Sequence, residues 1–197
     1  MATVVVPFRG SDPKQRVAAD AEARHVLAHA MLADVLVAAE AIADVVLVAP
    51  ARPEVATAAT FVADPGRGQG AAVRAGLDAA VAVGFAPPYL VVNADLPCAG
   101  PRDLLALAGA VPDGGLALVR AADGTTNALA FADAGLFEPL YGPGSAGRFA
   151  ALAPARVLDA PNLIDDVDTL DDVARLAERL GAHTRRVAVS LDLASAA

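Results

Sequence analysis

Aspartate side chains from two distant parts of this sequence could together bind a metal ion. Asp95 closely follows the apolar run 89–92, which is the clearest buried-strand pattern in the chain. A carboxylate at the end of a buried strand is costly to desolvate unless a cation balances its charge. Asp95 also lies too far before the helix predicted near residue 101 to cap it, so a ligand role is the stronger interpretation.

The second acidic region is the cluster Asp165, Asp166 and Asp168, which lies between Leu163-Ile164 and a predicted helix. Asp168 could simply be the N-cap of that helix, and acidic turns before helices are common. A capping role for Asp168 leaves Asp166 unexplained. Asp166 lies two residues before Asp168, so in an extended segment both side chains lie on the same side. Together with Asp95, this pair would form an all-oxygen site, the ligand set that Mg²⁺ prefers.

Three cations surround the loop that follows the first predicted strand. They are Arg9, Lys14 and Arg16, in a chain whose formal net charge is −8. Cations at the carboxyl end of a strand suggest an anion site, although ordinary solvated loop charges explain them equally well. The loop lacks the Gly-Lys-Ser/Thr element of a Walker A motif.

Two glycine-containing loops could bring backbone N–H groups close to a phosphate. The stretch Gly66-Arg67-Gly68-Gln69-Gly70 precedes one predicted helix, and Gly142-Pro143-Gly144-Ser145 opens another. N–H groups and the dipole at a helix N-terminus favour an anion, but Ser145 could equally be an ordinary N-cap. Thr125-Thr126-Asn127 adds short polar side chains beside a strand of the second half.

The order of apolar patterns predicts a single α/β domain with a mainly parallel sheet. Ligands of such sheets bind at the carboxyl ends of the strands, where the acidic, basic and glycine-containing segments are expected. Strands are predicted at 3–6, 45–48, 61–62, 89–92, 116–119, 128–131 and 157–158. Helices are predicted over 20–43, around 54–60, up to 83, and at 101–110, 145–152 and 170–181, with the tail from Ala182 unassigned.

Composition narrows the possible functions. Of the 197 residues, 56% are hydrophobic but only 4% are aromatic, which predicts a core rich in methyl groups rather than rings. The negative net charge argues against general attraction to nucleic acid. We see no targeting signal and no membrane span, so the cytoplasm is the expected location.

The cysteine and histidine content leaves little room for other metal centres. Cys98 is the only cysteine, which excludes a disulfide framework or a cysteine-based zinc site. His25 and His29 are four residues apart on a predicted helix and could hold a metal, but a solvated helix face explains them better.

Several motifs, in their order and spacing, resemble those of one enzyme family. They are residues 6–10 with Lys14 and Arg16, residues 31–36, Ala63-Asp64-Pro65, Asn93-Ala94-Asp95-Leu96-Pro97, Thr126-Asn127-Ala128-Leu129, residues 142–145 and Asp166-Val167-Asp168-Thr169. The family comprises the guanylyltransferases of coenzyme F(420) biosynthesis, which act on 2-phospho-L-lactate or phosphoenolpyruvate.

The resemblance implies one nucleotidyltransferase domain related to GT-A glycosyltransferases, spanning 1–197. A nucleotide-binding half would cover about 1–97 and an acid-binding half about 98–181, and the family is often dimeric. The implied catalytic residues are Lys14, Arg16 and Asp95, and the implied Mg²⁺ ligands are Asp95, Asp166 and Asp168. GTP would contact Pro7, Arg9, Gly10, Lys14, Gly68 and Gly70, and the phosphorylated acid would contact Thr126, Gly142 and Ser145.

The chain departs from the family pattern at a few positions. Ala71-Ala72 stands where the family usually has a Leu-Asn pair that helps hold the nucleotide, and Phe149 stands where a histidine is usual. Three alternatives stay open, and Ala71-Ala72 bears on the last of them. They are another nucleotidyltransferase acting on molybdopterin or a sugar phosphate, a GT-A-like glycosyltransferase, and a non-catalytic protein that binds the same ligands.

Overall fold

A seven-stranded sheet runs through the centre of the molecule in the computed structural model, which describes residues 2–10 and 21–191. The strands are β1 (Ala2–Pro7), β2 (Ala43–Ala49), β3 (Thr60–Ala63), β4 (Tyr89–Val92), β5 (Leu116–Arg120), β6 (Thr126–Phe131) and β7 (Ala155–Val157). In space they follow the order β3-β2-β1-β4-β6-β5-β7. Strand β6 is antiparallel to both neighbours and the other pairings are parallel. The predicted α/β fold with a mainly parallel mixed sheet is confirmed.

Helices cover both faces of this sheet. They are α1 (Ala21–Glu40), α2 (Gln69–Ala82), α3 (Pro101–Gly109), α4 (Ser145–Ala150), α5 (Pro161–Ile164), α6 (Leu170–Arg175) and α7 (Ala182–Ser190), with one 3-10 turn at Ala134–Leu136. Within the described residues, no helix is long and apolar enough to cross a membrane.

Successive residues of each strand pack into two separate apolar layers. In β1, Val4 and Val6 belong to the layer shared with α1, whereas Val5 belongs to the layer shared with α2. Helix α2 approaches the sheet very closely at Gly76, where an added Cβ would lie 2.4 Å from Cγ1 of Val5 and 2.8 Å from Cγ2 of Val48. A glycine therefore sets the distance between this helix and β1 and β2.

The layer under α2 and α4 is richer in rings than the composition predicts. Phe131, Phe137 and Phe149 are fully buried there. The ring of Phe137 lies 5.9 Å from that of Phe131 and 6.2 Å from that of Phe149, and Tyr141 packs against the same group. Most of the buried aromatic side chains are thus on this side of the sheet, whereas the α1 layer consists almost entirely of aliphatic side chains, with Phe8 as its buried ring.

One predicted helix is absent and one unassigned segment is helical. The segment around 54–60 forms no helix, because its polar groups bind α1 instead: Ala58 N donates to Oε1 of Glu40 at 2.8 Å, and the Thr57 hydroxyl donates to the same atom. Within the tail from Ala182, residues 182–190 form α7. Its N-terminus is fixed by Asp34, whose carboxylate accepts hydrogen bonds from His183 N and Thr184 N at 2.9 and 2.8 Å.

Replacing Gly76 with alanine should destabilise the fold, because the new methyl group would overlap Val5 and Val48. We expect a loss of about 1–3 kcal/mol in the free energy of unfolding, as for other overpacked cores. Gly109→Ala is the matched control, since no atom lies within 4 Å of its added Cβ. That control should be neutral or gain up to about 1 kcal/mol. Equal unfolding midpoints in urea for the two variants would contradict the close approach of α2.

Candidate active site

The three carboxylates singled out in the sequence meet at one edge of the sheet. Asp95 follows β4, whereas Asp166 and Asp168 lie in the loop between α5 and α6. Each contributes a carboxylate oxygen to a group whose members lie within 4.8 Å of one another. A backbone hydrogen bond of 3.1 Å from Val167 N to the Asp95 carbonyl ties the two segments together. Such an all-oxygen set is suited to a hard divalent cation.

The hydrogen bonds at the start of α6 decide between the two interpretations of Asp168. Thr169, not Asp168, is the N-cap: its hydroxyl accepts from Asp172 N, and the Asp172 carboxylate accepts from Thr169 N at 2.9 Å. This reciprocal arrangement is a capping box. Asp168 therefore precedes the N-cap, and its backbone N–H donates to the Asp172 carboxylate at 3.2 Å.

Two arginines bind the remaining aspartate of the cluster. Arg175 donates from Nη1 to Oδ1 of Asp165 at 2.8 Å and from Nη2 to Oδ1 of Asp172 at 2.9 Å. Arg179 donates to the second oxygen of Asp165. Partial burial raises the pKa of Asp165, but the hydrogen bonds from Arg179 and Arg175 outweigh it, so its pKa lies below the ordinary value.

A cavity of about 220 Å³ opens beside the acidic group, at the carboxyl ends of β1 and β4. It is lined by Pro7, Phe8, Arg9, Gly10, Ala28, Met31, Gln69, Ala72, Asn93, Ala94 and Asp95. Four of the residues predicted from the sequence, namely Pro7, Arg9, Gly10 and Asp95, therefore share one cavity. Gly68 is close by, since a Cβ added there would lie 3.5 Å from Nη2 of Arg9.

Two further polar residues of this cavity were not identified in the sequence. Nε2 of Gln69 donates to Oδ1 of Asn93 at 2.9 Å, and both side chains line the cavity. Gln69 lies inside the glycine-containing loop, and Asn93 lies two residues before Asp95. Their place within quoted motifs was a usable signal, but nothing in the sequence shows that they pair.

Antiparallel β6 brings the predicted acid-binding residues to the same edge. Thr126 begins β6 and its carbonyl accepts from Nδ2 of Asn93 at 3.4 Å. The Thr126 hydroxyl lies 2.9 Å from the Ser145 hydroxyl, and the two residues are 3% and 0% exposed. Ser145 is not the N-cap of α4; that position belongs to Gly144, which has a φ of 71°.

The loop before α4 is held by Arg148 and packs against the first half of the chain. The Arg148 guanidinium donates to the carbonyls of Leu140 and Pro143 at 2.8 and 2.6 Å, and Gly142 lies between them. Across from this loop, a Cβ added to Gly70 would lie 2.5 Å from Cβ of Pro139. Gly70 is therefore required for close contact between the two halves.

Some predicted residues fall elsewhere. Lys14 and Arg16 lie outside the described residues. His25 and His29 lie on α1 with ring centroids 4.0 Å apart, and His29 packs edge-on against Phe8 at 5.2 Å. Among the described residues, the group of three or more potential metal ligands is the aspartate group, and it includes neither histidine.

The whole chain resembles known nucleotidyltransferases. Residues 14–157 match the family described as the MobA-like NTP transferase domain. A phosphoenolpyruvate guanylyltransferase of Sphaerobacter thermophilus is 36% identical, covering 90% of this chain and 93% of its own. A protein of the same name from Nocardia farcinica is 33% identical, covering 87% of this chain and 81% of its own.

Solved structures share the fold at lower identity. A nucleotide-diphospho-sugar transferase structure from Desulfovibrio desulfuricans G20 has a TM-score of 0.76 at 17% identity, covering 98% of this chain and 96% of its own. A Mycobacterium tuberculosis H37Rv protein solved with manganese has a TM-score of 0.52 at 22% identity, covering 91% of this chain and 98% of its own. The chain is therefore a nucleotidyltransferase of the MobA-like family and belongs with the relatives named phosphoenolpyruvate guanylyltransferase.

Proposed function

We propose that the protein transfers a guanylyl group from GTP to phosphoenolpyruvate or 2-phospho-L-lactate, releases pyrophosphate, and serves coenzyme F(420) biosynthesis in the cytoplasm. The observation that carries this proposal is the group of three carboxylates beside the cavity at the ends of β1 and β4. The names of the 33–36% identical relatives support the choice of nucleotide and acid.

The ligand chemistry of the acidic group supports Mg²⁺ as the metal. Asp95, Asp166 and Asp168 offer oxygen atoms only, and Mg²⁺ usually combines one or two carboxylates with water and substrate phosphate oxygens. When bound, Mg²⁺ would neutralise charge on the attacking and α-phosphate oxygens. The role of the chain is to hold the three carboxylates close enough together for that geometry.

The proposed reaction needs positioning more than proton transfer. An oxygen of the acid's phosphate attacks the α-phosphorus of GTP, a new P–O bond forms, and the bond to the bridging oxygen of the leaving pyrophosphate breaks. The second pKa of a phosphate monoester is near 6, so at pH 7 the attacking oxygen is already ionised and needs no general base. Among the described residues that line the cavity, none is a histidine or a cysteine.

Each half of the chain has its own substrate in this proposal. GTP would occupy the cavity of the first half, with contacts from Pro7, Arg9, Gly10, Gly68 and Gly70. The catalytic set in this proposal is Asp95 with Lys14 and Arg16, where the two cations would neutralise the triphosphate and the leaving pyrophosphate. The cations matter because the net charge of −8 repels both anionic substrates.

The phosphorylated acid would bind on the second-half side, at Thr126, Gly142 and Ser145. Support comes from their place at the same sheet edge as Asp95, because Thr126 lies beside Asn93 on the neighbouring strand. The buried hydroxyl pair of Thr126 and Ser145 also joins β6 to α4, so it fixes the loop that carries Gly142.

A pyrophosphate-release assay tests the function. With Mg²⁺ and GTP, phosphoenolpyruvate or 2-phospho-L-lactate should release one pyrophosphate per guanylylated acid, and ATP should replace GTP poorly. Sugar 1-phosphates and molybdopterin are the competing acceptors to include. Turnover with a sugar phosphate but neither acid would reject the proposed acceptor, and transfer from a nucleotide sugar without pyrophosphate release would indicate a glycosyltransferase.

Asp166→Asn should abolish turnover while the protein stays folded, because it removes one anionic ligand from the carboxylate group. Asp171→Asn is the matched control, since Asp171 lies on the exposed surface of α6 in the same acidic stretch. The control should keep near-normal kcat, and circular dichroism should show both variants folded. Similar kcat values for the two variants would argue against a metal role for Asp166.

The double variant Thr126→Val with Ser145→Ala tests acid binding by the hydroxyl pair. Each single change leaves the other hydroxyl buried without its partner, which should lower the free energy of unfolding by about 1–3 kcal/mol. The double variant should be little less stable than either single variant, because it leaves neither hydroxyl behind. We expect the double variant to raise KM for phosphoenolpyruvate about tenfold or more and to leave KM for GTP unchanged.

Thr125→Val is the control for this experiment. Thr125 is the neighbouring threonine, and its hydroxyl donates to Asp123 on the exposed turn at 2.6 Å rather than to the pair. Its KM for phosphoenolpyruvate should stay normal. A normal KM in the double variant would mean that the two hydroxyls only join β6 to α4.

A further inference from the structure

Resting on the proposed function, we infer that Arg175 and Arg179 are positioning residues: they hold Asp165 away from the metal site and fix the segment that carries Asp166 and Asp168. Neither arginine is among the described residues that line the cavity beside the three carboxylates. Arg175 is the last residue of α6, and Arg179 lies in the turn that follows this helix.

The contacts show how this positioning works. Both oxygens of Asp165 are engaged, Oδ1 by Arg175 and Oδ2 by Arg179. The carboxylate next in sequence to Asp166 is thereby bound by arginines, and it is not part of the group formed by Asp95, Asp166 and Asp168. Arg175 also binds Asp172, the residue that completes the capping box with Thr169. One guanidinium therefore connects the residue before the metal-binding pair with the helix after it.

The charge of the segment explains why such contacts are needed. Residues 165–172 contain five aspartates, at positions 165, 166, 168, 171 and 172. Carboxylates held a few ångströms apart repel one another, so an unrestrained Asp165 could compete for the cation or push its neighbours apart. The two guanidinium groups offset this repulsion and give the segment one geometry, because their planar forks bind carboxylates directionally.

The contacts are better suited to positioning than to global stability. The side chains of Arg175 and Arg179 are 50% and 37% exposed, and ion pairs at such exposure stabilise folded proteins little. The loop also has independent anchors, because Val167 N binds the Asp95 carbonyl and Nδ2 of Asn127 donates to the Ile164 carbonyl at 2.9 Å. Loss of an arginine should therefore loosen the ligands without unfolding the domain.

Positioning and simple electrostatics predict opposite results for the same variants. Arg175→Gln removes a positive charge, so electrostatics alone would tighten cation binding, whereas loss of positioning would weaken it. Arg175→Lys keeps the positive charge but loses the planar guanidinium, whose two terminal nitrogens bind Asp165 and Asp172. The double variant Asp165→Asn with Arg175→Gln has the net charge of the natural chain and lacks the pair.

The test is a titration of the intact protein with MnCl₂, followed by electron paramagnetic resonance of free Mn²⁺, with melting temperature measured in parallel. We expect Arg175→Lys, Arg175→Gln, Asp165→Asn and the double variant each to bind Mn²⁺ about tenfold more weakly, as changes in residues that orient metal ligands usually do. Without metal, the melting temperature of each variant should stay within about 4 °C of that of the natural chain. Arg186→Lys, an exposed arginine of α7, should bind Mn²⁺ normally.

The outcomes separate this inference from the proposed function. Natural affinity in Arg175→Lys and in the charge-balanced double variant, or tighter binding in Arg175→Gln, would overturn the positioning role even where Asp166→Asn abolishes binding. Failure of the natural chain to bind Mn²⁺, or equal binding by Asp166→Asn, would instead overturn the metal site and the inference with it.

Discussion

The pairing of β4 with antiparallel β6 is the constraint on which the site depends. Because β6 runs opposite to its neighbours, its first residues, rather than its last, lie at the edge where β1 and β4 end. The backbone hydrogen bond from Asn93 N to the Asn127 carbonyl extends this pairing to the residues beside Asp95. Without that reversal, Thr126 would lie at the far end of the sheet from the carboxylates.

The second requirement is to bring like charges together at this edge. Asp95, Asp166 and Asp168 repel one another, and the folded chain must offset that repulsion before any ligand arrives. Hydrogen bonds hold the segment in place: Asn127 Nδ2 donates to the Ile164 carbonyl, Val167 N donates to the Asp95 carbonyl, and the capping box of Thr169 and Asp172 starts α6. Arg175 and Arg179 add positive charge beside the same segment. A bound cation would add to this stabilisation and would not be needed to build the segment.

The sequence alone could locate some of the site residues in the fold but not others. Asp95 could be placed from the sequence because it follows a continuous apolar run that must be a buried strand. Gln69 and Asn93 could not be paired, because amides are common in loops and their contact spans 24 residues. For Ser145 the sequence left capping and binding open, and the fold removed the capping interpretation by placing Gly144 at the N-cap.

The sequence by itself determined the elements with strong local signals: the apolar runs of β1, β2, β4 and β5, the helices α1 to α3, and the edge at which the loops should meet. It mistook the segment around 54–60 for a helix and left α7 unassigned, because Glu40 and Asp34 bind these segments from far away in the chain. Only the tertiary structure decided that six of the seven described strands run one way and β6 the other, and that Gln69 and Thr126 both contact Asn93. These features depend on contacts between residues that are distant in sequence. Such contacts produce no local periodic pattern of residue types from which they could be predicted.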